Sequence, residues 1–192
     1  LEENPMEFVE PIKRIADIKG MKEVLSQHSQ RDLLFFVFGI NTGMRVSELL
    51  SLKVGDIWDG QDIKEFVSIE GPHTDEVTDF YINLSVKKEL RKYLSQVDLQ
   101  ECDYLFKSKK NNKPITRQQA YRIINHAAKE VGIPGKIGTH TLRKTFGYHA
   151  YRKGIAVSIL SKIYRHQSSA ETLHYIGIEK NEKYIIKVDV NL

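Results

Sequence analysis

Five residues stand out for what their side chains could do together: Arg45, His140, Arg143, His166 and Tyr175. They fall in two ordered stretches. The first is Thr42-Gly43-Met44-Arg45-Val46-Ser47-Glu48-Leu49. The second opens with His140-Thr141-Leu142-Arg143-Lys144-Thr145-Phe146, continues to His166-Gln167-Ser168-Ser169, and reaches Tyr175 nine residues beyond His166. A guanidinium stays charged and presents two parallel donors in one plane, which suits phosphate oxygens that gain negative charge when phosphorus is attacked. Removing one preorganised donor of this kind typically costs about 10²–10³ in rate. Tyrosine can be the attacking group, but its unperturbed pKa of about 10 leaves roughly one in a thousand ionised at neutral pH. A base or a cationic surround must therefore help it. Histidine is the side chain suited to that task near neutrality.

Those side chains need elements to hold them. A helix from about Arg31 is apolar on nearly every face through Phe38 and ends near Gly43, so it reads as a core helix. A short helix, Arg45–Leu52, follows, and Glu48 one turn after Arg45 can hold that guanidinium in place. His140 and Arg143, three apart, share a face at the start of a helix running to Lys153, where backbone N–H groups also favour an anion. Further helices are expected over Asp17–His28, Ser85–Gln96, Thr116–Val131, Val157–Arg165 and from Ser168. Thr116/Gln119 and Ser168/Glu171 have capping-box spacing, and Gly132 and Pro134 stop the longest helix. Val54–Trp58, Phe66–Ile69 and Phe80–Leu84 are short runs rich in Val, Ile and Phe that predict a small antiparallel sheet, and Tyr184–Val190 alternates like a further strand. The fold class is mostly α with a small antiparallel β-sheet. Taken singly, each residue has an ordinary reading: Arg45 as a capping arginine, His140 as a helix-start histidine, His166 as a helix-end residue on the local dipole, and Tyr175 as one of nine tyrosines. Thr42 and Gly43 read as structural, with Gly43 closing a helix.

As an ordered set, the two stretches resemble the catalytic domain of the tyrosine recombinase (phage integrase) family. Its signature is an arginine after Thr-Gly, a His-x-x-Arg on a later helix, a further His or Trp, and a tyrosine about nine positions on. The resemblance covers residues 17–178, leaving 1–16 as a linker or the tail of a missing N-terminal domain. Residues 179–192 are left as a tail docking in cis or on a neighbouring protomer. It implies that Tyr175 attacks a scissile phosphate, leaving a 3′-phosphotyrosyl bond and a free 5′-hydroxyl, and that this hydroxyl or one from a partner strand reverses the step. Arg45, His140, Arg143 and His166 serve that step, with Glu48 in support. Bond energy is kept in the protein–DNA link, so the resemblance implies neither ATP nor metal, and no cofactor is expected. His140, His149, His166 and His174 also lack metal-ligand spacing. The implied partner is double-stranded DNA, the implied assembly a homotetramer on paired sites, and the implied reaction site-specific recombination of a mobile element.

Composition is compatible with this reading without establishing it. The chain has 192 residues, 41% hydrophobic and 28% charged, with a net charge of +4, which fits one domain with its own core. The single cysteine, Cys102, points to a reducing compartment. No apolar run approaches the ~20 residues of a membrane span. With no secretory layout at the start, a cytoplasmic, nucleoid-associated protein is expected. Lys107, Lys109, Lys110, Lys113, Arg117 and Lys144 are candidate DNA contacts whose ordinary reading is a solvated face. Two features depart from the family pattern. Tyr164-Arg165-His166 stands where the family has Leu-Gly-His, which strains Arg165 if the position needs a left-handed backbone. The family's lysine in the turn between the second and third strands is also missing: no lysine occurs between Lys64 and Lys87, and His73 is nearest the slot. Two rivals remain at this point, a type IB topoisomerase-like enzyme and a DNA-binding relative that has lost cleavage. Cleavage by wild type, His73→Lys and His73→Ala tests the slot: the lysine variant is expected to be fastest and alanine slowest, and equal rates would remove His73 from the mechanism.

Overall fold

Leu33 to Phe38 are buried without exception, so α2 (Gln30–Thr42) is the helix round which the others pack. In the computed structural model, which describes residues 9–71 and 74–178 (side chains of 74–76 apart), α1 (Ile15–His28), α5 (Leu84–Leu94) and α7 (Thr139–Arg152) all lie against it. His73 and the expected strand Tyr184–Val190 lie outside the described residues. Phe106 meets Phe35 edge-on, with ring centroids 5.2 Å apart. Replacing such a buried Phe by Ala costs about 3–5 kcal/mol. Gly43 ends α2 at φ 73°. That angle favours glycine, and a Cβ there would also run into the Phe146 ring of α7. The chain then turns into α3 (Val46–Ser51) with Arg45 as its N-cap.

The sheet is smaller than the sequence predicts. Val54–Ile57 forms a single helical turn, α4, rather than a strand, because the Asp56 carboxylate reaches back 2.7 Å to the Lys53 backbone N–H and caps it. Local capping outweighs the β-branched composition of that run. The sheet is therefore a two-stranded antiparallel ribbon, β1 (Phe66–Gly71) and β2 (Thr74–Tyr81), with an irregularity at Glu70/Gly71. Val67, Phe80 and Ile82 face the core.

The second half carries α6 (Arg117–Val131), α7, α8 (Val157–Tyr164) and α9 (Ser169–Tyr175). Both expected caps on Thr116 and Gln119 form, at 3.1 and 2.8 Å. Ser168 caps α9 as expected, while Glu171 accepts from the Gln167 N–H, one residue earlier than a capping box places it. Leu160, Tyr164 and Ile176 form a satellite core that seats α9 on α7 and α8. Gly147 permits this: a Cβ there would collide with the Tyr164 hydroxyl. The segment before α1 is packed too. Ile12 is 1% exposed, and its N–H donates to Thr145 Oγ1 of α7.

Arg165 caps α8 in the left-handed region, at φ 58° and ψ 40°, and donates from Nη2 to Thr78 Oγ1 of β2 at 3.0 Å. The left-handed conformation costs a non-glycine residue about 1–2 kcal/mol. Arg165→Ala keeps that strain and loses the Thr78 contact, whereas Arg165→Gly loses the contact but is free of strain. Urea unfolding is expected to place the glycine variant about 1 kcal/mol above the alanine variant, and equal midpoints would refute a strained cap.

Candidate active site

Arg143 leaves the first turn of α7 and is only 5% exposed. A buried guanidinium needs acceptors for its donors. Nη1 donates to the Gly43 carbonyl and Nη2 to the Ile163 carbonyl at 3.2 Å. These acceptors lie at the C-terminal ends of α2 and α8, where helix dipoles favour a cation. The guanidinium carbon sits 4.5 Å from the Tyr164 ring centroid. The Tyr164 hydroxyl in turn donates to the Arg143 carbonyl at 2.7 Å. Burial lowers the Arg143 pKa, opposed by the Tyr175 and Tyr164 phenols, but guanidinium stays charged in proteins.

Arg45 lies across from it. The Glu48 carboxylate accepts from the Arg45 backbone N–H at 2.6 Å and approaches Nη1 at 3.5 Å, so one side chain both caps α3 and steers the guanidinium. A small pocket of about 50 Å³ is lined by Arg45, Ser47, Arg117, His140 and Arg143. Arg117 is the first residue of α6, and its side chain makes no hydrogen bond or ion pair among the described residues. Sequence reasoning placed it among outlying DNA contacts, whereas the fold brings it to the two arginines of the signature. His140 is exposed as a residue, yet its imidazole is partly enclosed. That desolvation lowers its pKa, and Arg117, Lys144, Arg143 and Arg45 push the same way.

His140 also lines a second, larger pocket of about 460 Å³, together with Lys144, His166 and Tyr175. Tyr175, the last residue of α9, packs edge-on to His166 with ring centroids 5.1 Å apart. Burial raises the phenol pKa. Arg143, by charge and hydrogen bonding, and then Arg45, by charge, lower it. The Tyr164 ring lies between Arg143 and Tyr175, 4.5 Å from the Arg143 guanidinium carbon and 5.2 Å from the Tyr175 ring, centroid to centroid. Tyr164 is no competitor as nucleophile, being 2% exposed with its hydroxyl committed. His166 is held by Thr172, whose Oγ1 lies 3.0 Å from Nδ1 and 2.8 Å from Ser161 Oγ. Burial lowers the His166 pKa; Glu171 opposes this, while Arg143 and Arg45 add to it. Thr172 was missed by sequence reasoning, because a buried threonine carries no signal of its neighbour.

The expected DNA contacts divide. Lys109, Lys110 and Lys113 are exposed in the loop closed by the Lys107–Pro114 bridge. Lys107 is half-buried and ion-paired to Asp103 at 2.8 Å. Lys144 does not belong to a solvated face: it is 6% exposed, its ammonium donates to the Val9 carbonyl at 2.9 Å, and it lies 5.0 Å from the Tyr175 ring centroid.

The Phage integrase family model matches residues 11–182. A Bacillus subtilis (strain 168) protein named "Probable integrase/recombinase YoeC" is 39% identical over 176 residues, covering 92% of this chain and 93% of that one. A crystal structure of XerA recombinase superposes with a TM-score of 0.73 at 24% identity, over 94% of this chain and 62% of that one. A structure of the XerH site-specific recombinase bound to its palindromic difH substrate in a post-cleavage complex gives a TM-score of 0.69 at 18% identity, over 87% and 49%. At those identities the superpositions show the fold. The chain spans 65% and 55% of two further tyrosine recombinases that it matches.

His140 and His166 are both held below the ordinary histidine value of 6.5. The unfolded chain therefore binds protons at these positions more readily than the folded one. Their contribution to stability is complete above pH about 6.5 and is lost as pH falls through the folded values. Urea midpoints are expected to drop between about pH 7.5 and 5.5, above the carboxylate range, and to drop less in a His140→Gln/His166→Gln variant. Parallel slopes would refute the depressed histidines.

Proposed function

This chain belongs to the phage integrase family, and we propose that it is a site-specific DNA recombinase acting through a 3′-phosphotyrosyl intermediate on Tyr175. The observation that carries the reading is that His140 lines both the pocket of Arg45 and Arg143 and the pocket of Tyr175, while the Tyr164 ring packs against both the Arg143 guanidinium and the Tyr175 ring. The scissile phosphate of a DNA duplex occupies the arginine pocket. Arg45, Arg143 and His140 donate to its non-bridging oxygens, and Arg117 adds a further positive charge at the N-terminus of α6.

Tyr175 Oη attacks phosphorus, the phosphorus–5′-oxygen bond breaks, and a proton is delivered to the departing oxygen. The reverse step, from the same or a partner strand, restores the phosphodiester and the phenol. Burial keeps Tyr175 protonated until an acceptor removes its proton. His166 suits that role. Its depressed pKa keeps it neutral near pH 7. Thr172 Oγ1 can accept from Nδ1–H of His166, and in that tautomer Nε2 is the base. Glu48 acts through Arg45. Residues 17–178 form the catalytic domain, and 179–192 dock in cis or on a neighbouring protomer. The assembly is a homotetramer on paired sites, with Lys109, Lys110 and Lys113 contacting the DNA backbone in the nucleoid. The missing hairpin lysine favours one second reading, a DNA-binding relative without cleavage.

The test is a pool of nicked duplexes of randomised sequence, scored for a covalent adduct on a denaturing gel. Wild type is expected to form the adduct, Tyr175→Phe to lose it, and Arg45→Ala to slow it by about 10²–10³. An adduct that survives in Tyr175→Phe overturns the proposal, and tight binding without any adduct favours the non-cleaving relative.

A further inference from the structure

Away from the signature residues, three side chains from two helices converge on one point. His28 is the last residue of α1, while His126 and Glu130 stand one turn apart on α6. Nε2 of His126 lies 2.8 Å from Glu130 Oε1, and Nε2 of His28 lies 3.3 Å from the same oxygen. One ligand atom from each residue lies within 4.8 Å of the others. The imidazole centroids are 6.1 Å apart and tilted by 57°, so the rings converge on the carboxylate without stacking. We propose that His28, His126 and Glu130 form a binding site for a divalent transition-metal cation, zinc first among them, that bridges α1 and α6.

The donor set argues for this class of ion. Two imidazole nitrogens and one carboxylate oxygen suit zinc and its first-row neighbours, whereas magnesium and calcium take oxygen ligands. Three protein ligands leave a fourth, tetrahedral position for water, and all three side chains reach solvent, so that position is open. The electrostatics agree. His28 closes α1 and Glu130 is the penultimate residue of α6, so both ligands stand in the last turn of a helix, where a cation is favoured. The scaffold is also preorganised. α1 and α6 pack together, and Gly20 lets their backbones approach so closely that a Cβ there would lie 2.9 Å from Val131 Cγ1. An ordinary His–Glu ion pair needs only one histidine aimed at the carboxylate, whereas here both Nε2 atoms approach a single oxygen. Ligation requires neutral imidazoles, so acid competes with the metal.

The test is calorimetric titration of the full chain with zinc chloride, paired with thermal unfolding with and without a chelator. One equivalent is expected to bind and to raise Tm, and the chelator to reverse the shift. His28→Ala, His126→Ala and Glu130→Gln should each weaken binding by roughly 10–100-fold or more, while Cys102→Ser and magnesium chloride serve as controls, leaving zinc binding intact and giving no binding respectively. Absence of zinc binding overturns the proposal, as does binding that the three variants leave unchanged.

Discussion

The fold rests on what the Arg143 guanidinium requires. Removing a charge from water costs several kcal/mol unless hydrogen bonds and opposing dipoles replace the solvent. Here the replacement comes from the Gly43 carbonyl at the end of α2, the Ile163 carbonyl at the end of α8, and the Tyr164 ring. Two elements, α2 and α8, must therefore meet α7 at one point. Gly43 supplies its carbonyl only because a left-handed turn ends α2 there, and that same turn sets Arg45 at the head of α3. Tyr164 lies under the guanidinium only because Gly147 leaves room for its hydroxyl. The cation is thus a structural keystone as well as a chemical group.

Electrostatics set the second constraint. Arg45, Arg117 and Arg143 share one small pocket with His140, and Lys144 stands close behind. Glu48 approaches the Arg45 guanidinium at 3.5 Å. Like charges gathered in this way repel one another, and the folded chain tolerates them because core packing elsewhere outweighs the repulsion. An arriving anion relieves it. Burial is the main reason both histidines are depressed, and the nearby guanidinium groups add to it.

Much of this was legible from residue order. The core helix through Leu33–Phe38, the caps on Thr116 and Ser168, and the convergence of two distant motifs all follow from periodicity, capping chemistry and signature spacing. What escaped did so for physical reasons. Val54–Ile57 has strand-like composition, but a single carboxylate contact makes it a helical turn. Lys144 looks like a surface cation because nothing local announces the carbonyl that buries it, which comes from a residue 135 positions away in sequence. Arg117 reads as one more basic residue until the packing of α6 brings it beside Arg45. Long-range partners are what a linear reading lacks.

The lead-in segment before α1 has a mechanical meaning. Its backbone is fastened to α7 at three successive points: the Val9 carbonyl to Lys144, the Ile12 N–H to Thr145, and the Ile12 carbonyl to His149. Lys144 in turn lies over the Tyr175 ring. One ammonium group thus touches both the polypeptide at Val9 and the Tyr175 ring two helices later in the chain. The stretch is a drawbar: displacing Val9 would pull on the cation that lies over that ring.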